Sequence, residues 1–439
     1  MNIRRIVKKL IPTRLFRGIE PLGHLIEAII ANIRFGFPAR KMRFIGVTGT
    51  NGKTTTSFYI YNVLKQAGVK VGLSTTVAYG VGNDITRQKE HITTAQAGVL
   101  QRRLREFANK GVEWVVLETS SHALAQHRVW GIPYEIAVFT NLTHDHLDYH
   151  GTFQRYKEAK RALFKIANKH GFKYGVVNAD DPNAEAFTNS VENFTTYGIK
   201  SGDLRAKNVQ LKSEGSSFEA ALRVNGTKEP EIYKIKTQIP GEFNVYNSLA
   251  AILVGQKIGL SKQHIEKGIA TLSGVDGRMN RIDAGQDFQV IVDFASTPDG
   301  FEKLFQSIRP LVKGKLVAVF GSAGRRDASK RRIQGEIAGK YADYVIATEE
   351  DDRDEDGSAI LAEIIAGATS KGKVEGKTVW GILDREEAIG RAMTLVSSKN
   401  DAVVLLGKGH EQTIERADGV YPWNEAEAAR AAIKAIKKF

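Results

Sequence analysis

The sequence contains no cysteine, which excludes a disulfide framework, a thiolate metal site and a cysteine nucleophile. It also lacks an apolar run near the ~20 residues of a membrane-spanning helix, and no uninterrupted signal-peptide core follows its basic N-terminus. Acidic residues are outnumbered by basic ones, 49 to 63, and the formal charge of +14 favours anionic partners such as nucleotides, nucleic acid or an anionic membrane surface. We expect a cytoplasmic protein, and 439 residues predict two or three domains.

A glycine turn between a short apolar strand and a helix is the most informative stretch that is present. Its glycines let backbone N–H groups approach an anion, and the helix N-terminus adds partial positive charge. Lys53 adds a full charge and Thr54 can ligate Mg²⁺, so the stretch predicts a nucleotide phosphate site. The general P-loop pattern needs glycine where Val47 stands, so the pattern alone leaves an ordinary strand-to-helix turn as the alternative. The turn reads Thr48-Gly49-Thr50-Asn51-Gly52-Lys53-Thr54.

Short β-rich runs alternate with helical patterns from Arg43 onward, which predicts an α/β fold with a mostly parallel sheet. One apolar run, 114–118, ends in Glu118, and ligands gather at the carboxyl ends of parallel strands. We therefore expect Glu118 to hold a metal beside the glycine turn, with a helix cap as the alternative. Three His and two Asp in residues 144–150 favour a Mg²⁺ site with one imidazole over a transition-metal cluster.

Two helical patterns precede the first strand. Residues 3–11 alternate apolar and basic residues at helical spacing, and Pro12 ends the pattern. A second helix carries one apolar stripe, for which we predict packing on the domain behind it rather than a binding surface. The stripe consists of Leu22, Leu25, Ile26, Ile29, Ile30 and Ile33.

Further motifs occur in the order seen in the Mur ligases, and most resemble the MurE-type ligases, which add the third residue of the peptidoglycan stem peptide to UDP-N-acetylmuramoyl-dipeptide. The resemblance covers residues 43–439. It implies a central P-loop ATPase domain with a parallel sheet at 43–277 and a C-terminal Rossmann-like α/β domain at 278–439, and the two helical patterns before them predict a helical segment at 1–42. The motifs are the glycine turn, 118–122, 141–151, 156–160, 241–247, 277–279 and 407–411.

The resemblance also implies roles for single residues. ATP would be bound by Gly49, Thr50, Asn51, Gly52, Lys53, Thr54, Thr55, Asn244, Asn247, Arg278 and Asp293. The catalytic residues would be Lys53, His146, Lys160 and Arg278, and Mg²⁺ would be held by Thr54, Glu118, His146 and Lys160, the last as a carbamate. The acceptor would be bound by Thr93, Thr94, Ser120, Gln126 and Arg128, and the incoming amino acid by Arg326, Asp351, Arg353, Gly407 and Glu411.

The implied reaction is an ATP-dependent amide ligation. A carboxylate of a muramoyl-peptide acceptor attacks the γ-phosphate of ATP to give an acyl phosphate, and the amine of a diamino acid then displaces phosphate. The family's Asp-Asn-Pro-Arg motif reads Glu350-Asp351-Asp352-Arg353 here, and Ser296 stands where many relatives have histidine. Because Arg353 is kept, diaminopimelate is favoured slightly over lysine.

Two other function classes stay open at this point. A folylpolyglutamate or cyanophycin-like ligase shares the ATP machinery, but the matches at 118–128 and 407–411 favour the muropeptide branch. A P-loop protein that binds nucleic acid would explain the charge, but the basic residues are scattered and not interleaved with aromatic residues. We expect a monomer with no nucleic-acid partner.

The resemblance leaves three further expectations. Only about forty residues precede the glycine turn, too few for the UDP-binding domain of MurE-type ligases. The acceptor is therefore expected to be held by its sugar and peptide, and residues 1–12 are expected to touch an anionic membrane surface. Neither Lys53 nor Glu118 is expected in the core, and the sequence by itself places Lys160 on a helix surface.

Overall fold

The computed structural model describes residues 13–88, 90, 92–223 and 229–436. The predicted basic helix at 3–11 lies outside these residues. Two separate sheets, each covered by helices, and one short hairpin make up the strands of the described chain. No helix in the described ranges is long and apolar enough to cross a membrane.

The first sheet has eleven strands in the order β11-β10-β9-β8-β7-β6-β1-β5-β2-β3-β4. Its seven middle strands, from β9 to β2, are parallel, and antiparallel pairs extend both edges. The carboxyl ends of β1, β5 and β6 therefore lie side by side, where a ligand can reach all three. The strands are β1 (Arg43–Thr48), β2 (Val71–Ser74), β3 (Ala78–Val81), β4 (Asp84–Arg87), β5 (Trp114–Glu118), β6 (Tyr134–Phe139), β7 (Tyr174–Asn178), β8 (Asn193–Gly198), β9 (Leu204–Lys212), β10 (Gly215–Leu222) and β11 (Glu231–Thr237).

The second sheet has six strands in the order β12-β13-β17-β14-β15-β16, and all except the edge strand β12 are parallel. Together the two sheets confirm the predicted α/β fold with a parallel-sheet P-loop half and a Rossmann-like half. The domain boundaries themselves stay a prediction. The strands are β12 (Asn280–Arg281), β13 (Gln289–Asp293), β14 (Leu316–Phe320), β15 (Tyr344–Ala347), β16 (Val379–Gly381), β17 (Ala402–Leu406) and the hairpin pair β18 (Thr413–Arg416) and β19 (Gly419–Pro422).

Helices cover both faces of the two sheets. In α8 (Glu242–Ile258), the continuous run from Asn247 to Gly255 is buried, which fits its mostly apolar sequence. The helices are α1 (Thr13–Phe35), α2 (Lys53–Gln66), α3 (Ala97–Asn109), α4 (Ser121–Ala125), α5 (Leu147–His150), α6 (Phe153–Ala167), α7 (Ala184–Thr188), α8 (Glu242–Ile258), α9 (Lys262–Ala270), α10 (Pro298–Ile308), α11 (Ser329–Tyr341), α12 (Gly357–Thr369), α13 (Arg385–Thr394) and α14 (Glu425–Ile436), with 3-10 turns at Pro38–Lys41 and Arg309–Leu311.

The packing predicted for the apolar stripe of α1 is wrong for most of its residues. Small and polar side chains of α1 face the protein instead, because Ala28 and Ala31 allow close contact with Ala97 of α3. The side-chain amide of Asn32 donates to the carbonyl oxygen of Trp130 at 3.0 Å and fixes the helix. Four apolar side chains are left half or more exposed: Leu22, Ile26, Ile30 and Ile33.

Candidate active site

The glycine turn forms a tight loop between β1 and α2. Gly49 has φ 150° and Gly52 has φ 82°, and a Cβ on either would collide with Thr140 or Asn247, so both positions need glycine. The backbone N–H groups of Thr50 and Asn51 donate to the Asn141 carbonyl and side chain, at 2.8 and 2.9 Å. The loop that follows β6 therefore fixes the glycine turn in place.

Glu118 lies at the end of β5, next to the first turn of α2. The Thr54 hydroxyl lies 3.0 and 3.1 Å from its two carboxylate oxygens, and the Thr76 backbone and hydroxyl also donate to it, at 2.8 and 2.9 Å. The expectation that Glu118 stays out of the core is wrong, since its side chain is 1 % exposed. Its burial follows from these donors, which satisfy the carboxylate inside the protein. A hydroxyl and a carboxylate held together are the donor types that Mg²⁺ takes from proteins beside phosphates.

Two lysines hold positive charge against the glycine turn. The Lys53 ammonium donates to the Thr50 carbonyl at 2.7 Å, and Lys160, from α6, donates to the Gly49 carbonyl at 2.5 Å. Lys160 is 1 % exposed, so it is not the surface lysine that its sequence context indicates. Burial lowers the pKa of both ammonium groups, and for Lys160 the second cause is the nearby charge of Lys53.

His146 lies in a cluster of rings on the loop after β6. It occupies the left-handed region at φ 54°, and its Nε2 lies 3.3 Å from Asp145. Its ring centroid is 4.7 Å from that of His122, which in turn is 4.3 Å from that of Tyr149. Burial lowers the pKa of His122 to about 3, so this imidazole is neutral near pH 7. In the described residues, no three His, Asp or Glu side chains form a metal site by themselves.

Residues of the second sheet reach the glycine turn. Arg278 donates to the Thr54 hydroxyl at 3.3 Å, and its guanidinium lies 4.6 Å from the ring centre of Phe294. The side-chain amide of Asn51 donates to Asp299, at the start of α10, at 2.8 Å. Asp293 accepts from two backbone N–H groups at 2.7 Å, and burial raises the pKa of this carboxyl. Side chains from both sheets therefore meet at one phosphate site.

Asn244 and Asn247, two of the residues predicted to bind ATP, are neighbours on α8. The Asn247 amide donates to the Asn244 side chain at 2.9 Å, and Asn244 donates to the Pro240 carbonyl at 2.7 Å. The Thr56 hydroxyl donates to Asn247 at 3.0 Å, which ties α8 to α2. The chain of bonds orients both amides.

The predicted acceptor residues surround the end of β5. The Thr94 hydroxyl donates to the Glu118 carbonyl at 2.9 Å and accepts from the Ser120 backbone at 3.0 Å. Arg128 donates to the Thr94 carbonyl at 3.0 Å and to the Gln126 side chain at 2.8 Å. The group is therefore one hydrogen-bonded unit attached to the strand that carries Glu118.

The predicted amino-acid residues form a network of charges in the second half. The Lys408 ammonium, fully buried, donates to Asp351 at 2.8 Å and to Glu411 at 2.6 Å. Arg353 donates to Glu415 of the hairpin at 2.9 Å and also to the Gly324 carbonyl. Lys408 and Arg353 thus each have a carboxylate partner.

Gly407 supports this network from behind. At its φ of 97° a side chain is strained, and a Cβ would lie 2.5 Å from a carboxylate oxygen of Glu350. Burial raises the pKa of Glu350. A larger residue at 407 would therefore displace a buried carboxyl group next to Asp351.

One cavity of about 1620 Å³ lies between the two halves. Five of the predicted site residues do not line the cavity: Gly49, Thr94, Gln126, Lys160 and Gly407. The others line it: Thr50, Asn51, Gly52, Lys53, Thr54, Thr55, Thr93, Glu118, Ser120, Arg128, His146, Asn244, Asn247, Arg278, Asp293, Arg326, Asp351, Arg353 and Glu411.

Sequence reasoning missed residues that hold the predicted ones in place. Thr76 donates twice to Glu118, Asp299 accepts from Asn51, and Lys408 joins Asp351 to Glu411. Lys408 lay inside the 407–411 motif and could have been found there. Thr76 and Asp299 carry no sequence pattern, because only the folded chain brings them to their partners.

Comparison with known proteins agrees with this geometry. Residues 47–255 match the Mur ligase middle domain, and residues 277–409 match the Mur ligase glutamate ligase domain. The chain is 41 % identical, over 94 % of its length and 82 % of the relative, to a UDP-N-acetylmuramyl-tripeptide synthetase of Roseiflexus sp. (strain RS-1). It is 40 % identical, over 92 % of its length and 80 % of the relative, to a UDP-N-acetylmuramoyl-L-alanyl-D-glutamate–2,6-diaminopimelate ligase of Syntrophomonas wolfei subsp. wolfei.

A solved structure of another UDP-N-acetylmuramoyl-L-alanyl-D-glutamate–2,6-diaminopimelate ligase is similar, with a TM-score of 0.62 and 31 % identity over 90 % of this chain and 79 % of that one. The two matched domains, the first of which contains the glycine turn, define an ATP-dependent ligase that forms carbon–nitrogen bonds. The chain belongs to the Mur ligase family, and the predicted resemblance to the MurE-type ligases is confirmed.

Proposed function

We propose that the chain joins diaminopimelate to a muramoyl-peptide acceptor in the synthesis of peptidoglycan precursors. The observation that carries the proposal is the shared cavity, in which the phosphate loop, the acceptor residues at the end of β5 and the charged residues of the second half face one another. A reaction between three substrates needs this convergence, because the acceptor carboxylate must meet the γ-phosphate first and the amine afterwards. A cytoplasmic location and a monomeric state go with the proposal.

The phosphate side supplies positive charge where the transfer needs it. The N-terminus of α2, Lys53 and Arg278 would hold the ATP phosphates and stabilise charge on the transferred oxygens. Thr54 and Glu118 would hold Mg²⁺, whose chemistry is to neutralise phosphate charge. The acceptor carboxylate, held by Ser120 and Arg128, would attack the γ-phosphate to form an acyl phosphate. Enclosure of the cavity by both halves would keep water from this intermediate.

Lys160 is proposed to be carbamylated and, with His146, to serve a second Mg²⁺. Carbamylation requires the neutral amine, and burial next to Lys53 holds the pKa of the Lys160 ammonium well below its usual range. The modification would replace a buried cation near Lys53 by an anion, which removes one repulsion. These facts support the role.

The amino-acid side is proposed to bind a zwitterion with a second carboxylate at its far end. Arg353 would read that carboxylate through its planar guanidinium, and Asp351 and Glu411 would receive the ammonium group. Arg326 lines the same part of the cavity and is exposed there. The names of the curated relatives support diaminopimelate over lysine, although 350–353 keeps only the arginine of the family's Asp-Asn-Pro-Arg motif.

The proposal is tested by phosphate release with a panel of substrates. The acceptor is the muramoyl dipeptide, with and without UDP, and each amino acid is diaminopimelate, lysine, ornithine or glutamate. We expect release only with ATP, the acceptor and diaminopimelate together, and a product whose mass equals the acceptor plus one amino-acid residue. Release with folate and glutamate, but not with muramoyl acceptors, would contradict the proposal and favour a folylpolyglutamate-type activity.

A further inference from the structure

Helix α1 presents a row of large apolar side chains to solvent. Leu22, Ile26, Ile30 and Ile33 lie on one helical face, and they are 59, 50, 58 and 62 % exposed. The opposite face, with Ala28 and Asn32, packs on the protein. Apolar residues scattered singly on a surface need no explanation, but a continuous row on one exposed face marks an interaction site.

The sequence segment that contains this row is strongly basic. Residues 1–41 contain nine Lys or Arg and two Glu, so this short segment carries half of the chain's formal charge of +14. In its described part, Arg34, Arg40 and Lys41 are exposed directly after the row. An apolar face with basic residues around it is the pattern of a helix that lies in the surface of an anionic bilayer.

From these facts we infer that the outer face of α1 binds the surface of an anionic membrane, with the four apolar side chains inserted among the lipids and the basic residues on the headgroups. A second copy of the chain fits less well, because a stable interface needs about 20–30 residues from each partner and this row has four apolar residues. It would also bring two strongly basic segments together.

Trp130 connects the protein-facing side of α1 to the cavity. Its carbonyl accepts from the side-chain amide of Asn32, which lies opposite the apolar row. Two residues earlier, Arg128 lines the cavity. Membrane binding would therefore bring the acceptor side of the cavity close to the bilayer, independently of the ligase chemistry itself.

The test is sedimentation of the full chain with vesicles of phosphatidylcholine mixed with phosphatidylglycerol, and with vesicles of phosphatidylcholine alone. We expect binding to the anionic vesicles only, and weaker binding as salt is raised. A variant with Leu22→Ser, Ile26→Ser, Ile30→Ser and Ile33→Ser should bind at least about tenfold more weakly, because it has lost its insertion face. Its circular dichroism and ATP binding should not change, since the four side chains are exposed.

The matched control removes exposed apolar side chains elsewhere, with Phe194→Ser and Val374→Ser, which are 47 and 51 % exposed in the native chain. This variant should bind vesicles like the native chain. Absence of binding by the native chain would overturn the inference, as would equal binding by the fourfold variant. Light scattering that shows a native dimer and a monomeric fourfold variant, with no vesicle binding by either, would assign the face to a second copy instead.

Discussion

The two sides of the cavity treat positive charge in opposite ways. On the phosphate side, Lys53 and Lys160 donate to backbone carbonyls, and within the described residues neither forms a salt bridge. On the amino-acid side, Lys408 and Arg353 both donate to carboxylates. Lys53 and Lys160 are therefore held by backbone carbonyls, whereas Lys408 and Arg353 are each paired with a carboxylate of the protein.

The difference indicates how each side selects its ligand. A cation without a carboxylate partner, as at Lys53, binds a polyanion strongly, because the ligand's charge is the first to neutralise it. A network of paired charges is stabilised little by the net charge of a ligand. It favours instead a ligand whose charged groups match the positions of the charged residues in the network. The predictions below change one charge at a time, first on the phosphate side.

The largest expected effect is that of Lys53→Ala. Removing the cation at the phosphates should reduce ATP-dependent amide formation about 10³-fold, the scale of a lost transition-state contact. Initial rates with saturating substrates measure it, and circular dichroism checks the fold. Lys65→Ala, at the far end of the same helix, is the matched control and should keep native activity. A Lys53→Ala enzyme with native turnover would contradict the charge difference between the two sides.

Lys160→Ala is expected to have the second largest effect. If Lys160 is carbamylated, the variant should lose activity on the order of 10²-fold, and acetate should restore part of it by replacing the lost carboxylate. Lys165→Ala, on the exposed side of the same helix, controls for the helix and should not respond to acetate. Full activity of Lys160→Ala without acetate would show that the reaction does not need a carbamate at this position.

Arg353→Ala tests the amino-acid side of the cavity. Loss of a charged hydrogen bond to the distal carboxylate should weaken diaminopimelate by ~1.5–3 kcal/mol, about 10–150-fold in kcat/KM. Lysine, which has no distal carboxylate, should be affected much less. The control Arg332→Ala removes an exposed guanidinium of α11 and should change neither. Equal losses for both amino acids would mean that Arg353 only holds the hairpin through Glu415.

The smallest expected effect concerns Asp352. This residue belongs to the acidic run 349–352, which has more carboxyl groups than cationic partners. Burial raises the pKa of the Asp352 carboxyl to about 6, and one of its oxygens has no hydrogen-bond partner in the described chain. Between the ordinary pKa of 3.8 and this value the folded state binds more protons than the unfolded state, so the free energy of unfolding falls as pH rises through this window.

Asp352→Asn should therefore raise the free energy of unfolding near pH 7 by about 1 kcal/mol, once solvent screening of this half-buried group is included, and have little effect near pH 4. Thermal unfolding at the two pH values measures it. Asp354→Asn, which lies two residues away and is half exposed, should not show the same dependence. An equal gain at both pH values would assign the effect to something other than the titration of Asp352.

The fold and the family could be predicted because their signals are local. The apolar strands that end at Thr48 and Glu118 and the glycines at 49 and 52 are visible in the sequence, and all of them lie where a parallel sheet requires. What could not be predicted depends on distant partners. Lys160 is buried because the Gly49 carbonyl accepts a hydrogen bond from it, and Glu118 is buried because Thr76 donates to it. The stripe of α1 is exposed because two alanines on the other face of the helix pack on the protein instead.

The bond between Asn51 and Asp299 gives the enzyme a mechanical link between its two halves. Asn51 belongs to the loop that surrounds the phosphates, and Asp299 belongs to the first turn of the helix after β13. Any movement that separates the halves must break this bond and release the loop on one side. Opening of the cavity and loosening of the glycine turn are thereby coupled, so that a movement of one half is felt at the other.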